Sequence, residues 1–361
     1  MDSSDLHRED PVGPTKYDLD WADLVTLDLS QFDVPGGKTK LANQLNKAIQ
    51  EIGFFYISNV GLTPEQVNRQ FAIGRKILEL PEEGKLKHRA DLEGGSYNGY
   101  RPLGSIEILP GLYDNVEFYN VFKFTDKYKR EHPQIVQQYY AEIEVFHRHI
   151  HENVAFKLLQ LVAIILELPE DTLTSRHAYE DDSESFLRYM RYRNRSTDEN
   201  SKFQELYLRG HTDFGSLTFV FSQPIAGLQV KTPDGNWKYV KPHPGSIVVN
   251  TADCLQFWTN GYLQSSIHRV VVPPEDQRHV DRFGLLYFAR PTDSMDLKTM
   301  ESPLLRRLGL KGDEDEKKSD EPNLEVGEWI RSRIKKNWTR SPEDNDQTIS
   351  VGGYKAKIFY Q

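Results

Sequence analysis

Between residues 186 and 290 the chain is a succession of short apolar or β-branched runs broken by turn sequences. The runs fall at 186–192, 216–221, 227–231, 236–240, 246–250, 254–258, 263–272 and 282–290. Pro233-Asp234-Gly235-Asn236, Pro242-His243-Pro244-Gly245 and Thr259-Asn260-Gly261 supply turns between them. Such runs are too short for ordinary helices, and turns at near-regular intervals favour strands that pair with their neighbours. Eight of them predict a mainly β fold with flanking helices, its core a double-stranded β-helix (jelly roll) or related barrel.

The remainder of the chain carries a different texture. Residues 1–22 are polar with Pro11 and Pro14 and read as an N-terminal arm. Val25, Leu27 and Leu29 alternate with polar residues as in a strand, and Leu41, Leu45, Ala48, Ile49 and Ile52 recur at helical spacing. Phe54 to Ile57 reads as a strand, and Thr63-Pro64-Glu65 opens a second helix, with a capping hydroxyl and proline at the first turn. These elements belong to an α/β region over 23–130, whose aromatic second half lacks a helical period. Residues 131–184 form a long helical segment, 185–295 the β core, and 296–361 a C-terminal helical extension. The nearly all-charged stretch 311–322 reads as a surface insertion, and Val326, Trp329, Ile330, Ile334 and Trp338 resume a helical stripe after it. His147, His149 and His151 look like a metal cluster, but residues two apart on a helix point to different faces, so a solvated face is expected.

The formal charge of −9 and the lack of a basic stripe argue against a nucleic-acid partner. One cysteine, Cys254, excludes an intrachain disulfide. No apolar run approaches the roughly 18 residues of a membrane span. The first residues are acidic and polar without a signal pattern, so a cytoplasmic enzyme is expected. Nothing in the pattern sets an oligomeric state.

Within the β-rich half, two imidazoles and a carboxylate stand out. His211 and Asp213 are two apart, so on an extended segment both project to one side. His268 lies in a later strand and can supply a third ligand. Two histidines with one carboxylate leave coordination positions open on Fe(II), and open positions are what oxygen chemistry needs.

Around these ligands the chain resembles the Fe(II)/2-oxoglutarate-dependent dioxygenases of the isopenicillin N synthase-like group. The resemblance rests on His211-Thr212-Asp213, Gly227-Leu228-Gln229-Val230, Trp237, Pro244-Gly245, Val248-Val249-Asn250, Asp253-Cys254-Leu255-Gln256, Thr259-Asn260-Gly261, Ser266-Ile267-His268-Arg269-Val270 and Arg282-Phe283-Gly284. Gly53-Phe54-Phe55-Tyr56-Ile57-Ser58-Asn59 and Leu80-Pro81-Glu82-Glu83 extend it to the N-terminal half.

The resemblance implies Fe(II) held by His211, Asp213 and His268, with 2-oxoglutarate and O2 as cosubstrates. It implies that Arg282 pairs with the distal carboxylate of 2-oxoglutarate, with Tyr192 assisting; Arg278 is the competing cation. Three positions depart from the family pattern: Gly284 replaces a serine, Met190 an asparagine and Val60 a histidine. Asp253 resembles a residue tied up in a family turn, whereas His243 and His279 read as turn and loop residues. Tyr100, Arg101, Tyr119, Phe214 and Phe288 fall where relatives line the pocket. The implied reaction is oxidation of a C–H bond in a small organic metabolite, by hydroxylation, desaturation or ring closure, with succinate and CO2 as co-products. Two other readings stand beside it: an Fe(II)/O2 oxidase that uses no 2-oxo acid, and a catalytically silent binding module on the same fold.

Overall fold

The computed structural model describes residues 6, 8, 10–310, 324–339, 348–351 and 353–359, so the charged stretch 311–322 lies outside the described residues. In chain order the strands are β1 (Thr26–Asp28), β2 (Phe54–Ser58), β3 (Gly99–Arg101), β4 (Glu107–Leu109), β5 (Leu112–Tyr113), β6 (Val116–Phe122), β7 (Phe186–Tyr192) and β8 (Leu206–His211), followed by β9 (Leu217–Phe221), β10 (Leu228–Lys231), β11 (Trp237–Tyr239), β12 (Ile247–Thr251), β13 (His268–Val271), β14 (Arg282–Ala289), β15 (Thr348–Val351) and β16 (Tyr354–Phe359). An eight-stranded sheet runs β1-β2-β12-β9-β14-β7-β6-β3, and a six-stranded sheet runs β11-β10-β13-β8-β16-β15. β4 and β5 form a separate hairpin. Apart from β1–β2, every ladder between these strands is antiparallel. The two sheets make the expected double-stranded β-helix core, flanked by helices.

Period-two alternation gives the large sheet two chemically different faces. On β14, Leu285, Tyr287 and Ala289 join the main hydrophobic core, whereas Arg282, Gly284, Leu286 and Phe288 face an internal cavity. β7 follows suit, with Leu187 and Tyr189 in the core and Phe186, Arg188, Met190 and Tyr192 toward the cavity. The core face is covered by α1 (Gly37–Glu51), α2 (Pro64–Leu78) and the helical segment after residue 133. α2 begins as its residues dictate: Thr63 and Gln66 form a reciprocal capping box with Pro64 in the first turn.

Three expectations need correction. Residues 254–258 are not a strand but part of a helix, Asp253–Trp258. A short apolar run does not reveal its period, and Cys254, Leu255 and Trp258 bury one helical side. β8 went unnoticed because Arg209 and Gly210 interrupt its apolar pattern. The histidines at 147 and 151 are not on a solvated face. They stand four apart, hence on one side of the helix, and both are fully buried. His147 bonds the Tyr179 hydroxyl at 3.0 Å; His151 bonds the Tyr287 hydroxyl at 2.7 Å and the His177 carbonyl at 2.6 Å. The expected long helix passes through a π-helical stretch, His149–Ala155.

The expected arm lies along the small sheet and the turn before β14: Ala22 and Tyr239 share a backbone hydrogen bond, and Thr15 donates to Asp276 at 2.8 Å. After the charged stretch, the helix Val326–Thr339 buries Trp329, Ile330 and Ile334, and β16 then pairs with β8 at Gly210 and His211. Among the described residues no helix is long and apolar enough to cross a membrane.

Candidate active site

His211 ends β8 and His268 begins β13, and the antiparallel register places the two directly opposite each other. Their rings are 4.3 Å apart between centroids. Asp213 follows β8 by two residues, with its Oδ1 3.9 Å from His211 Nε2 and its Oδ2 3.8 Å from His268 Nε2. One ligand atom from each residue lies within 4.8 Å of the others, and among the described residues this is the one such cluster.

The surroundings of the three residues suit a metal. His211 Nδ1 lies 2.9 Å from the Arg209 carbonyl and His268 Nδ1 3.1 Å from the Ser266 carbonyl. A carbonyl can only accept, so each Nδ1 carries a proton and each Nε2 is the ring nitrogen left to face the cluster. Burial, reinforced by His268, pushes the His211 imidazole down to about 4, which keeps it neutral at neutral pH. Burial would raise the Asp213 carboxyl, but His268 and His211 outweigh it and hold the group below its ordinary value. Asn250 donates to Asp213 Oδ2 at 3.0 Å and fixes the carboxylate plane. Two imidazoles and one carboxylate, all convergent and oriented from behind, are a donor set that Fe(II) accepts.

The cluster sits where two lobes of a cavity meet. The inner lobe, about 80 Å³, contains Arg282, Gly284, Leu286, Val220, Leu228 and Asn250 together with all three ligands. The outer lobe, about 200 Å³, contains Phe118, Phe186, Phe214, Arg101 and Arg290 with His211 and Asp213. Arg188, Met190, Tyr192, Leu208 and Phe288 line both.

Arg282 is buried at the inner end, and its single described hydrogen bond is a long one, 3.5 Å from Nε to the Ile225 carbonyl. No carboxylate among the described residues pairs with it. A buried guanidinium without a counter-ion is costly, so an anion at this end of the pocket would be favoured. Arg278 lies instead in an outer groove with Leu19, Gln229 and Arg269. The Tyr192 ring lies 5.7 Å from the Arg282 guanidinium and stacks on Tyr207, and burial pushes its hydroxyl up to about 12.

These features match known proteins along most of the chain. Residues 24–143 match the family described as non-haem dioxygenase in morphine synthesis, N-terminal, and residues 182–291 match the 2OG-Fe(II) oxygenase superfamily. Gibberellin 2-beta-dioxygenase 2 of Arabidopsis thaliana is 34% identical over 263 residues, which cover 71% of this chain and 72% of that protein. The chain belongs to the 2OG-Fe(II) oxygenase superfamily. This oxygenase is 29% identical over 299 residues to the 2-oxoglutarate-dependent dioxygenase gloF of Glarea lozoyensis, covering 74% of the chain and 88% of that protein. Its fold is similar to that of a full-length Neurospora crassa protein solved in complex with alpha-KG and thymine, with TM-score 0.74, 22% identity, and 88% and 99% of the two chains covered. The oxygenase is therefore a dioxygenase that works with Fe(II) and 2-oxoglutarate, and the reading as a silent binding module is set aside.

Of the residues expected to line the substrate pocket, Arg101, Phe214 and Phe288 reach the outer lobe. Tyr100 and Tyr119 do not. They are paired across β3 and β6 on the opposite face, where Tyr100 donates to Glu117 at 2.7 Å and Tyr119 bonds His132 at 2.8 Å. Alternation on β6 excludes Tyr119 and selects its neighbour Phe118. Asp253 opens its helix and accepts from Thr212 at 3.2 Å and Arg333 at 3.1 Å, a positioning role for the loop that carries Asp213. The cavity residues that the sequence reading missed are chiefly Arg188, Leu208, Phe186 and Arg333. Arg188 carried a usable signal, since it lies four residues before Tyr192 on one strand.

Proposed function

We propose that the oxygenase inserts oxygen at, or desaturates or cyclises across, an unactivated C–H bond of a small organic molecule, converting 2-oxoglutarate and O2 to succinate and CO2. The observation that carries this reading is the placement of Arg282. It is a buried cation with no carboxylate partner among the described residues, in the lobe that also holds His211, Asp213 and His268. His211, Asp213 and His268 would hold the iron and leave one side of it toward the cavity. The bound metal supplies O2 activation coupled to decarboxylation of the oxo acid. Arg282 would grip the distal carboxylate with its planar fork, and Tyr192 closes that end against water. Phe118, Phe186 and Phe288 give the outer lobe apolar walls that orient an organic substrate and keep water away.

An oxidase that needs no 2-oxo acid is not favoured, because the anion site at Arg282 would then have to be filled by the substrate itself. The experiment is a substrate screen with Fe(II) under air that measures succinate, O2 uptake and product, with and without 2-oxoglutarate. Turnover is expected only with the oxo acid, and it is lost in His211→Ala and Asp213→Ala. Product formed at the full rate without 2-oxoglutarate would overturn the reading.

A further inference from the structure

Six arginines line the two lobes, and three of them pair with carboxylates. Arg101 pairs with Asp114, Arg290 with Glu184 and Arg333 with Asp253, while Arg209 donates to the Glu107 carbonyl. Arg282 is the fifth. The sixth, Arg188, sits mid-strand on β7 between Asn120 of β6 and Leu286 of β14. Its Nε donates to Asn120 Oδ1 at 2.9 Å, and Asn120 is held in that orientation by its own donation to the Tyr97 carbonyl at 2.7 Å. No carboxylate of the described residues pairs with Arg188, and no described group accepts from its two terminal nitrogens. Aromatic rings surround the guanidinium: Phe118 at 3.7 Å, Phe288 at 4.7 Å, Phe186 at 5.1 Å and Tyr97 at 5.5 Å.

This arrangement is expensive for the fold alone. Burial pushes the guanidinium down to about 9, so it remains cationic at neutral pH with only a neutral amide and ring faces for company. The rings offset part of the desolvation cost, because each presents its electron-rich face to the cation. They do not supply acceptors for the terminal N–H groups, and buried charges are ordinarily paired with a full counter-charge. An apolar side chain of similar length would serve packing better. The retained cation, aimed into the lobe that faces Asp213, indicates a ligand that brings its own negative charge.

We infer that the substrate of this oxygenase is an organic acid whose carboxylate is gripped by Arg188 while its apolar body lies against Phe118, Phe186 and Phe288. The inference rests on the proposed function and extends it to a substrate class. Arg282 and Arg188, neither with a carboxylate partner among the described residues, then divide the anions between them, 2-oxoglutarate at the first and the substrate at the second.

The test uses the full chain loaded anaerobically with Fe(II) and 2-oxoglutarate. Formation of that ternary complex is followed by its charge-transfer absorption. Binding of phenylacetate, phenylpropionate and cyclohexylacetate is then measured by thermal shift and by perturbation of that absorption, each acid against its primary amide. Two charge-assisted hydrogen bonds predict that the best acid binds about 10–100-fold more tightly than its amide. Arg188→Met is expected to abolish that preference while the 2-oxoglutarate complex still forms, and Arg188→Lys to keep part of it. Circular dichroism of both variants shows whether they fold, and the acid–amide comparison on the unmodified protein needs no variant at all. Equal binding of acids and amides by the unmodified protein, or an acid preference that survives Arg188→Met, overturns the inference. Failure of the Fe(II)–2-oxoglutarate absorption to appear in the unmodified protein overturns the underlying reading of the site instead.

Discussion

Replacing Arg282 by Met separates binding from folding in a way the structure makes quantitative. Among the described residues its guanidinium makes one hydrogen bond of 3.5 Å and no ion pair. Burial depresses it, and only the nearby Tyr192 and Tyr207 hydroxyls counter that. The fold therefore gains little from the charge, and an apolar side chain of similar length, which carries no desolvation cost, should leave stability unchanged or raise it. Binding behaves oppositely. A bidentate pair with a carboxylate holds two charged hydrogen bonds of about 1.5–3 kcal/mol each, so Arg282→Met weakens 2-oxoglutarate by roughly 10²–10⁴-fold. Arg282→Lys keeps the charge without the fork and falls between. The assay pairs a thermal melt of the metal-free protein with an anaerobic titration of 2-oxoglutarate into the Fe(II) form. The expected outcome is an unchanged or higher melting temperature with severely weakened binding. A lower melting temperature with intact 2-oxoglutarate affinity would show that Arg282 is a structural cation and refute the argument.

Three further outcomes are expected. Asn250→Ala frees the Asp213 carboxylate to rotate and lowers metal affinity by about 10–100-fold, measured by competition with a chelator; unchanged affinity would remove Asn250 from the site. Gly284→Ser returns a hydroxyl to the Arg282 end, where its Cβ would lie 3.2 Å from the movable tip of Leu286. One hydrogen bond to the carboxylate of about 1.5 kcal/mol corresponds to about tenfold tighter 2-oxoglutarate, and weaker binding would contradict it. Acid destabilises the metal-free protein through its buried imidazoles. Burial pushes His132 and His151 down to about 4 and His177 to about 3, below their ordinary 6.5. Unfolding lets each take up a proton, so stability is complete above pH 6.5 and declines as pH falls toward the folded values, by roughly 2 kcal/mol per histidine at pH 5. Urea melts at pH 7.5 and 5 check this, and equal midpoints would mean that the rings are not sealed from solvent.

What could be read from the residues followed the physics of short-range order. His211 and Asp213 share a side because they are two apart on extended chain, and the structure brings His268 opposite them through strand register. The first helices were legible through Thr63 and Pro64 and through the spacing of Leu41, Leu45 and Ala48. Tyr100 and Tyr119 misled because an aromatic residue on a strand buries equally well on either face, and only the pairing of β3 with β6 decides which. Cys254, Leu255 and Trp258 misled because six residues are too few to display a period. His147 and His151 looked solvated because a polar ring is normally outside, whereas here Tyr179 and Tyr287 supply partners from distant segments. Arg188 could have been placed on the cavity side by its spacing from Tyr192, but its lack of a nearby acid among the described residues is a tertiary fact that no local pattern expresses.

The two-sided character of β7 and β14 also sets how this protein can change over time. Substitutions at 186, 188, 190, 286 and 288 alter the walls of the cavity beside the triad, while 187, 189, 285 and 287 are buried against the helices and sustain the fold. A library randomised at the first set should retain folding in most members and scatter in ligand preference; one randomised at the second should yield mostly insoluble chains. New substrates are thus within reach of single codon changes, without a compensating repair elsewhere in the molecule.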